Sequence, residues 1–306
     1  MSPFLYNCSL IIITVVILPL FFLILQKTIF TAIIKDIRFE RILHYIALML
    51  FGASLFFKAT ETYNTITFDT ITLFCLFTVT LVYAAVFAIV SNNIEDVEAD
   101  KITNPNRPLV KNTVQQRPYF LAGILCLAIA LITSILVNTD LFICILSISV
   151  GYYLYSCKPF RLKRIPFLSK FIIGINSLIV TMGGFCLAGG QLFNFPVLWL
   201  IFILFPLSLA ANFVDLKDIE GDRQTHIKTL PVFFGQKNAL IIISVSTFIT
   251  YIFAGIILNI YWAYPLVILS AILHVWFLYK KPYKEEPVFI VFLSGIFGLS
   301  VLLYLS

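Results

Sequence analysis

Residues 92–100 read NNIEDVEAD and residues 215–222 read DLKDIEGD, and these two stretches hold eight of the fifteen acidic residues of the chain. Residues three or four apart share one face of a helix. Asn92, Asp96 and Asp100 therefore form one polar stripe, and Asp215, Asp218 and Asp222 a second. Each stripe is expected to extend its helix beyond the preceding apolar run. Carboxylates stacked this way repel one another unless a cation stands among them, and two facing stripes of oxygen ligands suit Mg2+, which takes carboxylates, water and substrate phosphates. The bland alternative is a solvated, charged helix end, which is what a charge run usually is. It suits one cluster better than two with matched spacing. Asp96 aligns with Asp218 and Asp100 with Asp222 at one offset of 122 residues, which also brings Glu98 onto Glu220, Thr103 onto Thr225 and Asn93 onto Asp215.

Basic residues stand close to both clusters. In Asn104-Pro105-Asn106-Arg107-Pro108-Leu109 two prolines stop any helix, and the arginine between them is placed either to grip a phosphate or to anchor the chain at a membrane surface. Lys228, in Ile227-Lys228-Thr229-Leu230-Pro231, and the neighbouring Arg223 are the counterparts after the second cluster. A third basic stretch, YSCKPFRLKR, runs from Tyr155 to Arg164, and Tyr155 and Lys163 are its candidate active members. Carboxylates, a divalent ion and basic side chains together describe a diphosphate site.

The elements that must hold these residues are membrane helices. The chain has 306 residues, is 60% hydrophobic and only 12% charged, against about 25% charged in soluble domains. Ten apolar runs are candidates to cross a bilayer, which takes about 20 residues: 8–26, 41–57, 70–91, 118–137, 140–157, 170–190, 195–214, 238–258, 261–279 and 287–306. The second is the one short run. Backbone groups in lipid must be satisfied within the segment, so these are helices. Of the 21 lysines and arginines, all but Lys58 fall in the loops after runs one, three, five, seven and nine. By the positive-inside rule those loops face the cytoplasm and both termini face out. Both acidic clusters lie in that set of loops, so function is expected on the cytoplasmic side of an integral, multi-pass membrane protein. The basic pI of about 8.9 is then a topology signal, and nucleic acid is not an expected partner.

The first run has no basic segment before it and no small-residue cleavage site, so it reads as a retained helix rather than a signal peptide. The six cysteines form no CxxC pair and mostly lie in apolar runs, where they read as small hydrophobes. His44, His226 and His274 are too scattered to chelate a metal together. Four runs separate the two acidic clusters, so both copies enter the membrane in the same sense. The expected architecture is two parallel four-helix pseudo-repeats around a central cavity.

The set of motifs resembles the UbiA superfamily of intramembrane prenyltransferases. Its first motif, N-D-x-x-D-x-x-x-D with an N-R-P-L-like segment after it, stands here as NNIEDVEAD…NPNRPL, and its second, D-x-x-D-x-x-x-D with G-x-K-T-L-P-like residues, as DLKDIEGD…HIKTLP. The tyrosine and lysine loop between them resembles YSCKPFRLKR. The resemblance covers about residues 36–306 as a nine-helix core, leaving residues 1–35 as an extra N-terminal helix and linker. It implies that Asn92, Asp96, Asp100, Asp215, Asp218 and Asp222 hold Mg2+ on an isoprenyl diphosphate, with Asp96, Asp100, Asp218 and Asp222 as the catalytic carboxylates. Arg107, Tyr155, Lys163, Arg223 and Lys228 would bind the diphosphate. The implied reaction is transfer of the isoprenyl group to a small or lipidic acceptor, an aromatic ring, a quinone precursor or a glyceryl phosphate lipid, with release of pyrophosphate. Three positions depart from the family pattern: Asn93 for an aspartate (glutamine in some relatives), which removes one charge from the first cluster, Asn112 for a small residue or glycine, and His226 where glycine is common. The rival readings are a terpene cyclase of the same superfamily, a secondary transporter and a non-catalytic assembly partner. A transporter would place its polar residues near the bilayer midplane, whereas these gather at the membrane boundary.

Overall fold

The computed structural model describes residues 3–61, 67–165, 168–224 and 227–305; Thr225 and His226 lie outside them. Among the described residues the chain is helical throughout, without strands. In order the helices are α1 (Phe4–Leu25), α2 (Lys27–Asp36), α3 (Phe39–Thr60), α4 (Phe68–Glu95), α5 (Val97–Thr103), α6 (Gln116–Val137), α7 (Thr139–Ser156), α8 (Leu168–Leu187), α9 (Val197–Leu216), α10 (Ile219–Gln224), α11 (Leu230–Phe234), α12 (Gln236–Leu258), α13 (Tyr261–Tyr279) and α14 (Glu285–Leu305). Ten of these are long and apolar enough to cross a bilayer, and they correspond to the ten apolar runs. The second run is not short. Its helix α3 has 22 residues, because Phe39 and Glu40 at one end and Lys58 to Thr60 at the other continue the helical ladder past the apolar stretch.

The chain forms two compact units, Met1–Ile42 with Asn64–Arg161, and Leu43–Tyr63 with Leu162–Ser306. In the first unit α4 is the central element. It starts at Thr67, whose hydroxyl accepts from the Thr70 amide at 3.2 Å, an N-cap that satisfies one of the free donors of the first turn. Helix α1 lies against α4: Asn7 Nδ2 donates to Thr72 Oγ1 at 3.3 Å and Tyr83 Oη to the Thr14 carbonyl at 2.7 Å. Helix α2 is amphipathic and buries Ile29, Ala32 and Ile33 against Val86 and Val90 of α4 and Tyr119 and Ala122 of α6. That contact seats Asp36, at the end of α2, in the same core.

In the second unit α3 and α8 approach closely because each offers a glycine to the other. A Cβ on Gly52 would collide with the Thr181 carbonyl, and one on Gly184 with the Met49 carbonyl. Without a side chain the two backbones can touch. Gly184→Val is therefore expected to lower stability by about 1–3 kcal/mol, seen as a drop in the midpoint of thermal unfolding of the purified protein; an unchanged midpoint would refute this packing.

Helix α9 changes its winding along its length. It is α-helical over Val197–Phe202, a π turn over Ile203–Leu207 that contains Pro206, and a 3-10 turn over Ala211–Leu216. Proline has no N–H to continue the ladder. Thr250 Oγ1 donates to the Pro206 carbonyl at 2.8 Å and so satisfies the acceptor there.

Candidate functional site

The first acidic cluster spans a joint. Helix α4 ends at Glu95, Asp96 stands between helices, and α5 begins at Val97. The turn-to-turn spacing survives, because the Asp96 amide bonds to the Asn92 carbonyl at 2.9 Å and the Asp100 amide to the Asp96 carbonyl at 2.8 Å. The stripe expected from the spacing is therefore formed, although no single helix carries it. The Asn104–Leu109 segment then folds back over it. Asn104 Nδ2 donates to Asp100 Oδ1 at 3.0 Å, and Arg107 Nη1 pairs with Asp100 Oδ2. Asp100 is 4% exposed, so its charge is compensated where water is scarce. Asn112, in the same loop, has φ of 55°. That is the left-handed region which favours glycine and then asparagine, and it accounts for the departure from the family residue.

Asp96 has a partner that the sequence reading did not single out. Arg161 Nη2 donates to Asp96 Oδ1 at 3.1 Å and to the Glu95 carbonyl at 3.0 Å. Arg161 looked like one of several topology-setting charges in YSCKPFRLKR. Asn92 Oδ1 accepts from Ser156 Oγ at 2.9 Å, so the polar end of α7 is tied to the same stripe, with Tyr155 half-buried beside it.

Asn93 does not act as a lost charge in this cluster. It is 3% exposed. Its Nδ2 donates to Tyr119 Oη at 3.2 Å, and its Oδ1 accepts from Arg107 Nη1 at 2.7 Å. Tyr119 Oη in turn donates to Asp36 Oδ2 at 2.6 Å. Burial pushes the Asp36 carboxyl above the usual carboxylate range, while the Tyr119 hydrogen bond and the charge of Arg107 pull it back.

The second unit holds the second cluster on a different frame. The expected extension of one helix is not found: Asp215 sits in the 3-10 turn of α9, Asp218 between elements and Asp222 on α10. Pro206 and the π turn have already shifted the winding of α9 before the motif begins. Backbone bonds from the Asp218 amide to the Asp215 carbonyl, 3.3 Å, and from the Asp222 amide to the Asp218 carbonyl, 2.9 Å, still stack the three residues. Here too the loop after the motif folds back onto its last aspartate. Thr229 Oγ1 donates to Asp222 Oδ2 at 3.1 Å, and the Ile227 amide to the Asp222 carbonyl at 2.8 Å. Lys170, which the sequence reading counted only as a topology charge, reaches Asp215 Oδ1 at 2.8 Å and is 7% exposed.

Two observations fit a divalent ion at this second cluster. Burial first, and then the charges of Asp215 and Asp218, push the Asp222 carboxyl up to about 7. Asp215 Oδ2 is buried and lacks a hydrogen-bond partner. Crowded carboxylates with a bare, buried oxygen are the donor set that a hard cation completes. Among the described residues no three His, Cys, Asp or Glu side chains already gather around a single point; in the first cluster Arg107 and Arg161 hold the carboxylates instead.

Lys170, Asn212, Asp215, Lys228 and Thr229 stand at the polar end of a cavity of about 390 Å³. Ser169 and Ser208 also line it, and its apolar walls are Leu168, Phe171, Leu204, Phe205, Leu209 and, from α11, Leu230, Phe233 and Phe234. Of the other basic residues expected at the site, Lys163 is buried in a 3-10 turn over Leu162–Arg164. Arg223 is exposed and pairs with Glu220 at 3.6 Å; it does not line the cavity.

Ten helices long and apolar enough to cross a bilayer define an integral membrane protein. Residues 45–296 match the UbiA prenyltransferase family, and the chain belongs to that family. It is 30% identical over 209 residues to the digeranylgeranylglyceryl phosphate synthase of Thermococcus sibiricus, covering 64% of this chain and 69% of that protein. The synthase of Pyrococcus horikoshii is 29% identical over 53% of this chain and 56% of its own length. A 2-acyl-4-prenylphloroglucinol 6-prenyltransferase of Humulus lupulus is 28% identical over 64% of this chain and 52% of its length. The chain thus matches between about half and two thirds of these relatives' own length. In fold it is similar to a UbiA homologue from Archaeoglobus fulgidus bound to GPP and Mg2+, with a TM-score of 0.66 at 19% identity over 89% of this chain and 100% of the other. An apo UbiA homologue from Aeropyrum pernix gives a TM-score of 0.66 at 20% identity over 87% of this chain and 98% of the other.

Proposed function

We propose that this protein transfers an isoprenyl group from an isoprenyl diphosphate to a lipidic acceptor, a glyceryl phosphate lipid, at the cytoplasmic membrane face, with release of pyrophosphate. The carrying observation is the amphipathic cavity of the second unit. Its aromatic and aliphatic walls suit an isoprenoid chain, and Lys170, Lys228 and Asp215 at its polar end suit a charged head whose counter-ion is a metal. The names of the archaeal relatives support the glyceryl phosphate acceptor; the Humulus relative makes an aromatic ring the alternative to test.

In this reading Asn92, Asp96 and Asp100 would hold Mg2+ in the first unit, and Asp215, Asp218 and Asp222 would hold it in the second. The ion supplies positive charge against which the leaving pyrophosphate is stabilised. Arg107 and Lys228 bind diphosphate oxygens and neutralise the charge that grows there as the C–O bond breaks toward an allylic cation. Tyr155 and Lys163 are further candidate diphosphate ligands, and Arg223 contributes long-range attraction from its exposed position. A motif carboxylate takes the proton from the acceptor.

The test is pyrophosphate release by the purified protein in lipid nanodiscs, given labelled geranylgeranyl diphosphate and either a glyceryl phosphate lipid or an aromatic acceptor. A prenylated glyceryl lipid is the expected product. EDTA is expected to stop the reaction and added Mg2+ to restore it; turnover that survives EDTA would overturn the metal assignment. A hydrocarbon product formed without acceptor would establish a cyclase, and substrate accumulation in vesicles without pyrophosphate release a transporter.

A further inference from the structure

We propose that Asp36 is a positioning residue that, acting through Tyr119 and Asn93, fixes the guanidinium of Arg107 for the departing diphosphate. This rests on the reading of the site as one that binds a diphosphate. Asp36 belongs to α2, which precedes the family-matched residues 45–296.

The order of the hydrogen bonds carries the inference. A tyrosine hydroxyl has one proton to give and lone pairs to receive with. Tyr119 Oη gives its proton to Asp36 Oδ2 at 2.6 Å and is left as an acceptor, which the Asn93 amide nitrogen meets at 3.2 Å. Binding the nitrogen end of that amide to Tyr119 turns the oxygen end toward Arg107, where Oδ1 accepts from Nη1 at 2.7 Å. The carboxylate of Asp36 thus decides the rotor of a hydroxyl, the hydroxyl decides the facing of an amide, and the amide holds one edge of the arginine. Asp36, Asn93 and Tyr119 are all at least nine-tenths buried, so water does not compete for these bonds. Without the Tyr119 oxygen the amide of Asn93 keeps only its interaction with the Asp36 carboxylate to hold its nitrogen end, and the oxygen that accepts from Arg107 is less firmly placed.

The readout is affinity for inorganic pyrophosphate in the presence of Mg2+, measured calorimetrically on the purified full-length chain. Tyr119→Phe and Asp36→Leu are each expected to weaken binding about tenfold, the scale of one hydrogen bond to a charged group. Asp36→Asn keeps an acceptor oxygen for Tyr119 and is expected to recover most of the loss. In an Arg107→Ala background, Tyr119→Phe should weaken binding no further, since the chain acts only through Arg107; where Arg107→Ala does not fold, Arg107→Lys replaces it. Wild-type affinity in Tyr119→Phe, or losses that simply add in the Arg107 background, would overturn the proposal, as would a wild-type chain that binds no pyrophosphate. Prenyl transfer is assayed on the same preparation: binding without transfer removes the proposed reaction, and the mutant cycle then decides the positioning role on its own.

Discussion

Asp222→Ala abolishes pyrophosphate release, by about 10³-fold or more in kcat, in a chain that folds as stably as its parent. The two halves of this expectation come from one environment. Asp222 is a carboxyl whose ionised form is opposed by burial and by the charges of Asp215 and Asp218. A group that is costly to keep charged is retained for what it binds, so its removal takes away a ligand and also relieves repulsion. The Thr229 hydrogen bond is lost, at about 0.5–1.5 kcal/mol, against that relief. Asp96→Ala should be as inactive but less stable, because Arg161 loses one of its acidic partners. Initial rates with an isoprenyl diphosphate and thermal unfolding of the same preparations check both statements. Full turnover by either variant would end the metal assignment.

Arg107→Ala is expected to lose about 10²-fold or more in kcat/KM and, unlike Asp222→Ala, to unfold more easily. Its carboxylate partner is nearly inaccessible, with side-chain exposures of 13% for Arg107 and 6% for Asp100. Removing one member of such a pair takes the counter-ion from a buried charge, at a cost of up to about 3–5 kcal/mol. Arg107→Ala combined with Asp100→Asn should therefore recover stability while activity stays lost. Arg107→Lys should keep much of the stability, since its ammonium still offsets the Asp100 carboxylate, but recover little of the activity, since it has no planar fork with which to hold Asn93 and Asp100 and still present an edge to phosphate. Wild-type kcat/KM in the lysine variant would show that Arg107 supplies charge alone.

The parts of this molecule that repeat along the chain were legible in its sequence. Ten apolar runs became ten helices, and the spacing of Asp96 and Asp100, and of Asp218 and Asp222, became turns stacked by backbone hydrogen bonds. Polar residues at helix ends blur that signal: hydropathy stops near Phe57, yet the hydrogen-bond ladder of α3 continues to Thr60. Proline and a π turn blur it further, which is why Asp215 lies in a 3-10 turn rather than on an extended helix. What chain-local patterns cannot carry is choice among like residues far apart. Tyr119 is one of fourteen tyrosines, and only the fold brings it to Asp36, 83 residues away. Arg161 and Lys163 share one basic stretch, and only the fold brings Arg161 to Asp96, 65 residues away. Asn93 looked like a missing charge because the motif counts side chains and not the direction in which an amide points.

The length of α4 bears on where the reaction proceeds. Its 28 residues make ~42 Å of helix, whereas the hydrocarbon of a bilayer is about 30 Å deep. The surplus is about two turns, and Asn92 and Asn93 stand at the end of the helix. Chemistry performed at that height meets water on one side and acyl chains on the other. In the proposed reaction a substrate would slide in sideways and keep its tail dissolved throughout, while the small, multiply charged pyrophosphate would depart into solution, where dilution and hydrolysis keep it from returning.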